Sequence, residues 1–554
     1  VEAQRPSSRD RPPPLGLRDS KLAELDGGLF DVLVIGGGIN GAVSAAALTD
    51  RGLRVALVDR GDFAGLTSQE SSNLVWGGFK YLQNYELPLV WKLCRSRNEL
   101  MRAYPTLITE IGFLATLDRT APFPTWLAAL GSVAYWAIGG LATDRPRWFG
   151  PEALERREPV VDTSGARAAI EYGDAYLTEN DARFVWSFVR SAIDRGAAAA
   201  NYVSVDGLDR VGGRDGRWQV SLTDLVRGGP LRLEARTVVN AAGPLVDGLN
   251  DWLGVSTAHR IVYSKGIHLV VPRVTDSERV LAFFDDTQRL FFVIPMAHRS
   301  VIGTTDTRTS ELSAPVNEAD RTFLLEQINA RLDLAAPLTA GDVIAERSGV
   351  RPLVVAAGDD GHHDEDWTSL SRKHAIEVDR GRAVVSIFGG KLTDCLNVGA
   401  EVVEAVEELG LRPGPGSDGW YGEPPAAARE AFLRWAGLLG LDRPPEVERA
   451  ATMAHVLWRR HGRAAEAVLA AIEAEPAMAE PILAETDVLR GELALYRERE
   501  MLVTAEDFLR RRTKLAMIHR AEDLAADPRL AAACRELGLA PPRSAAEISS
   551  ADQR

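Results

Sequence analysis

The chain has 554 residues, 45% of them hydrophobic and 26% charged, so it is too long for one hydrophobic core and too apolar to be mostly disordered. Sixty-four basic residues against seventy-eight acidic ones leave a net charge of −14, which argues against a nucleic-acid partner and obliges any anionic substrate to find a local basic pocket. Cys94, Cys395 and Cys534 are too scattered for a zinc site or a disulfide framework; no metal is expected, and a reducing cytoplasmic setting fits.

Residues 1–29 are expected to form a disordered tail, since the first twenty hold Pro6, Pro12, Pro13, Pro14 and four arginines and no apolar run. Residues 30–59 then read as strand, glycine turn, Ala-rich helix and second strand. Gly36, Gly38 and Gly41 supply G-x-G-x-x-G at the turn, where Asn40 also lies, letting backbone N–H groups approach a pyrophosphate. Asp59 closes the second strand, eighteen residues after Gly41, where such a fold wants an acid for a ribose diol.

Residues 120–143 carry no charge. The most apolar part, 126–142, is seventeen residues long, short of the ~20 that a spanning helix needs. A buried core helix and an interfacial helix with Trp126, Tyr135 and Trp136 at headgroup level remain the two expectations. Strands are predicted at 218–222, 237–240, 267–271, 290–294 and 383–388, which makes the body mixed α/β (α+β). A Gly/Pro-rich linker spans 412–425, and an Ala/Leu/Glu/Arg-rich helical domain is expected over 426–554. The body, 30–411, thus opens with a Rossmann-like dinucleotide-binding unit and continues as mixed α/β.

The glycine fingerprint serves NAD and FAD alike; later segments favour FAD. Residues 238–244 (VVNAAGP), with Gly243, look like a strand and glycine turn returning to the dinucleotide. Residues 386–393 (SIFGGKLT) look like the strand and turn, with Gly389, Gly390, Lys391 and Thr393, that close over a flavin ring before a helix. Amides at that helix start can face the flavin edge that becomes negative on reduction.

With these segments in place, the sequence resembles the FAD-dependent glycerol-3-phosphate dehydrogenases, within the glycine/D-amino-acid oxidase-like flavoproteins, from about residue 30 to 518. The carrying stretches are 34–42 (VIGGGINGA), 71–82 (SSNLVWGGFKYL), 265–273 (KGIHLVVPR), 302–306 (IGTTD), 348–353 (SGVRPL), 388–393 (FGGKLT) and 507–514 (DFLRRRTK). The resemblance implies oxidation of sn-glycerol 3-phosphate to dihydroxyacetone phosphate with FAD, and a body over 30–411 in which a Rossmann-like FAD-binding domain is interleaved with a mixed-sheet substrate domain; the two glycine turns make the FAD noncovalent. The resemblance also implies electron transfer to a quinone, peripheral attachment to the inner face of the cytoplasmic membrane, and room for a homodimer.

Alcohol oxidation requires hydride loss from carbon and proton loss from the hydroxyl. His268 is the first candidate base, and Arg351 matches the family's substrate arginine, able to bind phosphate or polarise the reacting oxygen. Lys391 is placed to stabilise negative charge on reduced flavin or on the alkoxide. Lys80 and Tyr81 complete the expected anion pocket, and Thr67, Ser68, Ser72 and Asn73 are expected at the pyrophosphate and flavin. Three positions depart from the family: Trp76 stands where a His is usual, Lys80 where an Arg is usual, and Asp394 where a second Thr is usual. Lys cannot reproduce the bidentate fork of Arg, and a carboxylate facing a phosphate would repel it unless turned toward solvent or a neighbouring base. An amine or amino-acid substrate, oxygen as acceptor, and a non-catalytic flavin-binding membrane protein stay open beside the main expectation. Arg510, Arg511 and Arg512 read as a solvated helix face, with acidic lipid as the other option.

Overall fold

The fold is that of a computed structural model, which describes residues 16–83, 85–212, 216–285, 289–312, 314–358, 373–417, 419–447 and 451–542. Gly28–Ile35 is the inner strand of an eight-stranded sheet, flanked in parallel by Pro230–Asn240 and Val55–Val58. Val384–Phe388 continues the sheet beyond Pro230–Asn240, and Ala198–Ala200 continues it beyond Val55–Val58. Val32, Leu33, Val34 and Val55 to Val58 are fully buried, as strands covered on both faces must be. The helix Ile39–Asp50 packs against this sheet through Ala42 to Leu48.

A second sheet of ten strands is mostly antiparallel, and its long strands His259–Pro272 and Ala345–Ala356 pair along twelve residues. The chain passes between the sheets repeatedly: 28–58, 198–240 and 375–388 build the first, whereas 74–177 and 259–356 build the second. The chain therefore alternates between two sheets. Helices from Ala426–Leu438 to Pro528–Glu536 follow, with one core around Phe432, Trp458 and Leu469 and another around Tyr496, Phe508 and Leu530.

Three expectations change. The tail was expected to run to residue 29, but residues 17–25 form the helix Leu17–Leu25, with Leu22 and Leu25 buried. Arg18, fully enclosed, donates to Asn201 O at 2.9 Å and to Asp224 Oδ1 at 2.6 Å; these partners lie about two hundred residues on, beyond the reach of local composition. The remainder of that expectation, 1–15, lies outside the described residues.

The uncharged stretch folds as Thr125–Ile138, whose buried stripe is Ala128, Ser132 and Tyr135. Trp126 is 68% exposed and Leu130 59%, with Leu127, Val133 and Leu141 also open, so a core helix is ruled out. Among the described residues no helix is long and apolar enough to cross a membrane.

Arg510, Arg511 and Arg512 are buried rather than solvated. Their partners are carboxylates from the first half of the chain as well as their own domain, among them Asp62 and Glu70, and nothing local announces them.

Candidate functional site

The strand Gly28–Ile35 ends at the glycine turn. Gly36 has φ 103°, and a Cβ there would press on the Ala241 carbonyl, while a Cβ at Gly41 would overlap the Gly36 carbonyl oxygen. These glycines are demanded by close backbone crossing, which brings the return turn at 241–243 against the dinucleotide turn. Gly38 is the N-cap of Ile39–Asp50 and offers no side-chain cap, leaving a helix N-terminus suited to an anion. Asp59 knots the same turn: Oδ2 accepts the Gly37 N–H at 2.6 Å and Oδ1 the Gly61 N–H at 2.8 Å. Burial lifts its carboxyl to about 6 despite these two donors. Each oxygen retains a second lone pair for a ribose hydroxyl.

Asn40 joins the first cofactor segment to the last. Its Nδ2 donates to Gly389 O at 2.9 Å, and a Cβ at Gly390 would come within 3.1 Å of its Oδ1. The two glycine turns, some 350 residues apart, therefore face each other as expected for a flavin cleft. Gly389 in turn packs on the strand Ala345–Ala356, where a Cβ would lie 3.5 Å from Pro352 O. Thr67 Oγ1 donates to Val350 O at 2.6 Å. Arg351 is thus set between two cofactor segments.

Arg351 donates to Thr304 Oγ1 at 2.6 Å and Thr305 O at 3.1 Å, and Asp306 lies 3.9 Å away. A Cβ at Gly266 would overlap its guanidinium, so Gly266 makes its room. Lys391 Nζ donates to Tyr81 OH at 2.7 Å and lies 4.0 Å from the Tyr81 ring centroid, uniting two residues named from separate segments. Lys80 is half-buried beside Tyr81 in the short turn Phe79–Leu82. Trp76 is packed among aromatics, 6.2 Å from Tyr81 and 6.4 Å from Phe292 between ring centroids.

His268 is enclosed, and neither ring nitrogen has a hydrogen-bond partner. Burial, with Arg347 and Arg351 nearby, holds its pKa well below the ordinary value, so the ring is neutral. Gly303, across the sheet from His268, precedes Thr304, which holds Arg351. The His268 ring nitrogens and Asn40 Oδ1 are buried without partners and so are left for a polar cofactor or substrate to satisfy.

The loop residues divide. Ser68 Oγ accepts the Ile39 N–H at 3.0 Å and so belongs to the dinucleotide turn. Asn73 instead spends its amide on Leu177 O and Glu179 O, with Arg347 donating to its Oδ1, and acts as a structural tie. Ser72 is half-buried beside it, and Thr393 is buried behind the flavin-closing turn; Gly243 has φ 58° at the return turn.

Asp394 turns away from the cleft. Its Oδ2 lies 2.8 Å from His374 Nδ1 and 3.8 Å from Lys92 Nζ, while His374 Nε2 bonds Glu401 at 2.8 Å. Burial opposes charge on His374, but the two carboxylates outweigh it and raise its pKa to about 9. Sequence reasoning gave no role to Thr304, Thr305, Gly266 or Arg347. The first three sit in motifs that were singled out, so the signal was present without its geometry; Arg347 had no local signal.

Residues 31–385 match the FAD dependent oxidoreductase family, and residues 415–539 match the C-terminal domain of alpha-glycerophosphate oxidase. The chain is 31% identical over 512 residues to glycerol-3-phosphate dehydrogenase 2 of Mycobacterium tuberculosis, covering 90% of this chain and 83% of that one. It is 30% identical over 510 residues to a probable mitochondrial glycerol-3-phosphate dehydrogenase of Caenorhabditis elegans, covering 88% and 68%. A glycerol-3-phosphate dehydrogenase from Bacillus halodurans, solved in complex with FAD, shares the fold at TM-score 0.71 and 24% identity over 94% of this chain and 92% of that chain. FAD is accordingly the cofactor, and the chain belongs to the FAD-dependent glycerol-3-phosphate dehydrogenase family.

Proposed function

We propose that the enzyme oxidises the secondary alcohol of sn-glycerol 3-phosphate to dihydroxyacetone phosphate and delivers the electrons to a membrane quinone. Bound FAD supplies the hydride acceptor. The observation that carries the substrate reading is Arg351, poised by Thr304 and Thr305 between two cofactor segments and close enough to His268 to depress its pKa. Arg351 supplies a guanidinium fork for the substrate anion, and the Lys391–Tyr81 pair adds a second positive charge. His268, whose two ring nitrogens have no hydrogen-bond partner, accepts the hydroxyl proton as the hydride departs. Asp394, engaged with His374, does not oppose the phosphate.

A substrate panel with a dye acceptor tests this: glycerol 3-phosphate should exceed glycine, proline and free glycerol in kcat/KM by on the order of a hundredfold or more. Preference for an amino acid would reassign Arg351 to a carboxylate.

The quinone and membrane part is supported by the outward apolar face of Thr125–Ile138, which holds Trp126, Leu127, Leu130 and Val133, with Trp148 and the arginines Arg145 and Arg147 exposed nearby. Insertion into the headgroup boundary is driven by burial at about 25 cal/mol per Å² of apolar surface. Co-flotation with liposomes, resistant to salt and reversed by detergent, is the expected result. A dimer that hides this face and remains with the soluble proteins would refute it.

A further inference from the structure

The loop 62–73 leads from the second strand of the nucleotide-binding unit, and its two sides have different partners. One side reaches the cofactor cleft, where Ser68 Oγ accepts the Ile39 N–H and Thr67 Oγ1 donates to Val350 O. The other side is held by charges from a domain that begins more than 350 residues later. Arg510 donates to Gln69 O and pairs with Glu70 at 3.2 Å. Arg511 donates to Gln69 Oε1 at 3.2 Å and to Asp62 Oδ2 at 2.8 Å, and Arg512 donates to both oxygens of Asp62 at 2.8 and 2.9 Å.

The turn bearing these arginines is itself fixed. Asn180 Nδ2 donates to Arg510 O and to Thr513 O, and Asn180 caps the helix Asp181–Asp194. Asp181, the first residue of that helix, accepts the Ser71 N–H at 2.9 Å and pairs with Arg347 at 2.8 Å, so the loop is gripped from the substrate sheet as well. Asp62, Asp181 and Arg512 are enclosed, and charge-assisted bonds among enclosed groups fix geometry because no water can replace a lost partner.

We infer that the turn Arg510–Arg511–Arg512 of the C-terminal domain is a positioning element for FAD: by fastening loop 62–73 it holds Ser68 on the dinucleotide turn and slows cofactor release. Arg510 reaches the loop through Gln69 and Glu70, and lies 3.8 Å from Asp181, which holds Ser71. The C-terminal helices are thus part of the cofactor site at one remove, which gives them a role in flavin retention.

The test compares Arg510→Met and Arg510→Lys with Arg183→Met in the full-length holoenzyme. Arg183 is as buried as Arg510 and ties the same helix to Glu500 at 2.5 Å, but it does not touch the loop. The FAD release rate is read from the rise of free-flavin fluorescence, and thermal melting is recorded alongside. Arg510→Met should accelerate release on the order of tenfold, and Arg510→Lys should accelerate it by about threefold, since an ammonium cannot serve Gln69 O and Glu70 as the guanidinium does. Arg183→Met should lower the melting temperature and leave release within about twofold of wild type. Wild-type release from Arg510→Met, or equal acceleration by Arg183→Met, overturns the inference. If Arg510→Met yields no folded protein, Arg510→Lys decides: faster release supports the clamp, and release at the wild-type rate refutes it.

Discussion

At the dinucleotide end of the cleft, Gly36 and Gly41 set backbone against backbone, whereas at the other end Arg351, Lys391 and Tyr81 are side chains carried on separate segments. The first end recognises shape: it asks for the absence of a Cβ and for amide groups, which are the same in every residue. The second recognises charge, and its selectivity rests on which side chain stands at each place. Asp394 is harmless to an anion because His374 and Lys92 take its charge behind the flavin-closing turn.

The largest effect should come from adding a single methyl at the backbone-built end. Gly41→Ala drives a Cβ into the Gly36 carbonyl, and FAD per chain, read from flavin absorbance, should fall to background. Full occupancy in a folded variant would break the contrast. At the side-chain end, Arg351→Ala should leave FAD content unchanged and cut kcat/KM for glycerol 3-phosphate about 10- to 100-fold, the loss of a charge-assisted bond worth ~1.5–3 kcal/mol. Loss of FAD in that variant would merge the two ends into one.

The pH response should come from the His374–Asp394–Glu401 cluster, which is turned away from the cleft. His374 has its folded pKa raised from 6.5 to about 9, so its contribution is complete below pH 6.5 and disappears as pH rises through 9. Stability by urea denaturation should fall by on the order of 1–3 kcal/mol between pH 7 and 10, and His374→Gln should flatten that slope. Glu401, lowered to about 2 chiefly by its bond to His374, acts in the opposite direction: its share is present above 4.5 and is lost as pH falls toward 2. The smallest effect on catalysis is expected outside the cleft. Trp126→Glu with Leu130→Glu should abolish liposome flotation while dye-linked turnover stays within about twofold of wild type. Misfolding of that pair would contradict the open face.

The backbone-built end was legible in the sequence because its signal is contiguous: strand, glycines at fixed spacing, helix, and Asp59 at the next strand end. The mixed α/β body and the helical C-terminal region follow from local pattern too, whereas the division of the body into two interleaved parts comes from the family resemblance. What escaped depends on partners remote in sequence. Arg18 finds Asp224, Arg512 finds Asp62, and Asp394 finds His374 only after folding, so a helix looked like tail and a clamp looked like a solvated face. Asn73 is expected at the cofactor from the family resemblance, yet its side-chain amide is consumed by Leu177 and Glu179. The uncharged stretch 120–143 was ambiguous because both its faces are apolar, and only packing reveals which one is covered.

The central claim is that Arg351, His268 and Lys391 form one alcohol-oxidising site at the flavin. It is tested most directly by adding glycerol 3-phosphate to the oxidised holoenzyme under strict anaerobiosis and recording the flavin band near 450 nm, the usual position for oxidised flavins. The account predicts that the band bleaches within seconds, that one dihydroxyacetone phosphate appears per flavin, and that Arg351→Ala bleaches about 10- to 100-fold more slowly at low substrate. An unbleached flavin in a fully loaded wild-type enzyme, or bleaching by an amino acid in its place, would contradict it.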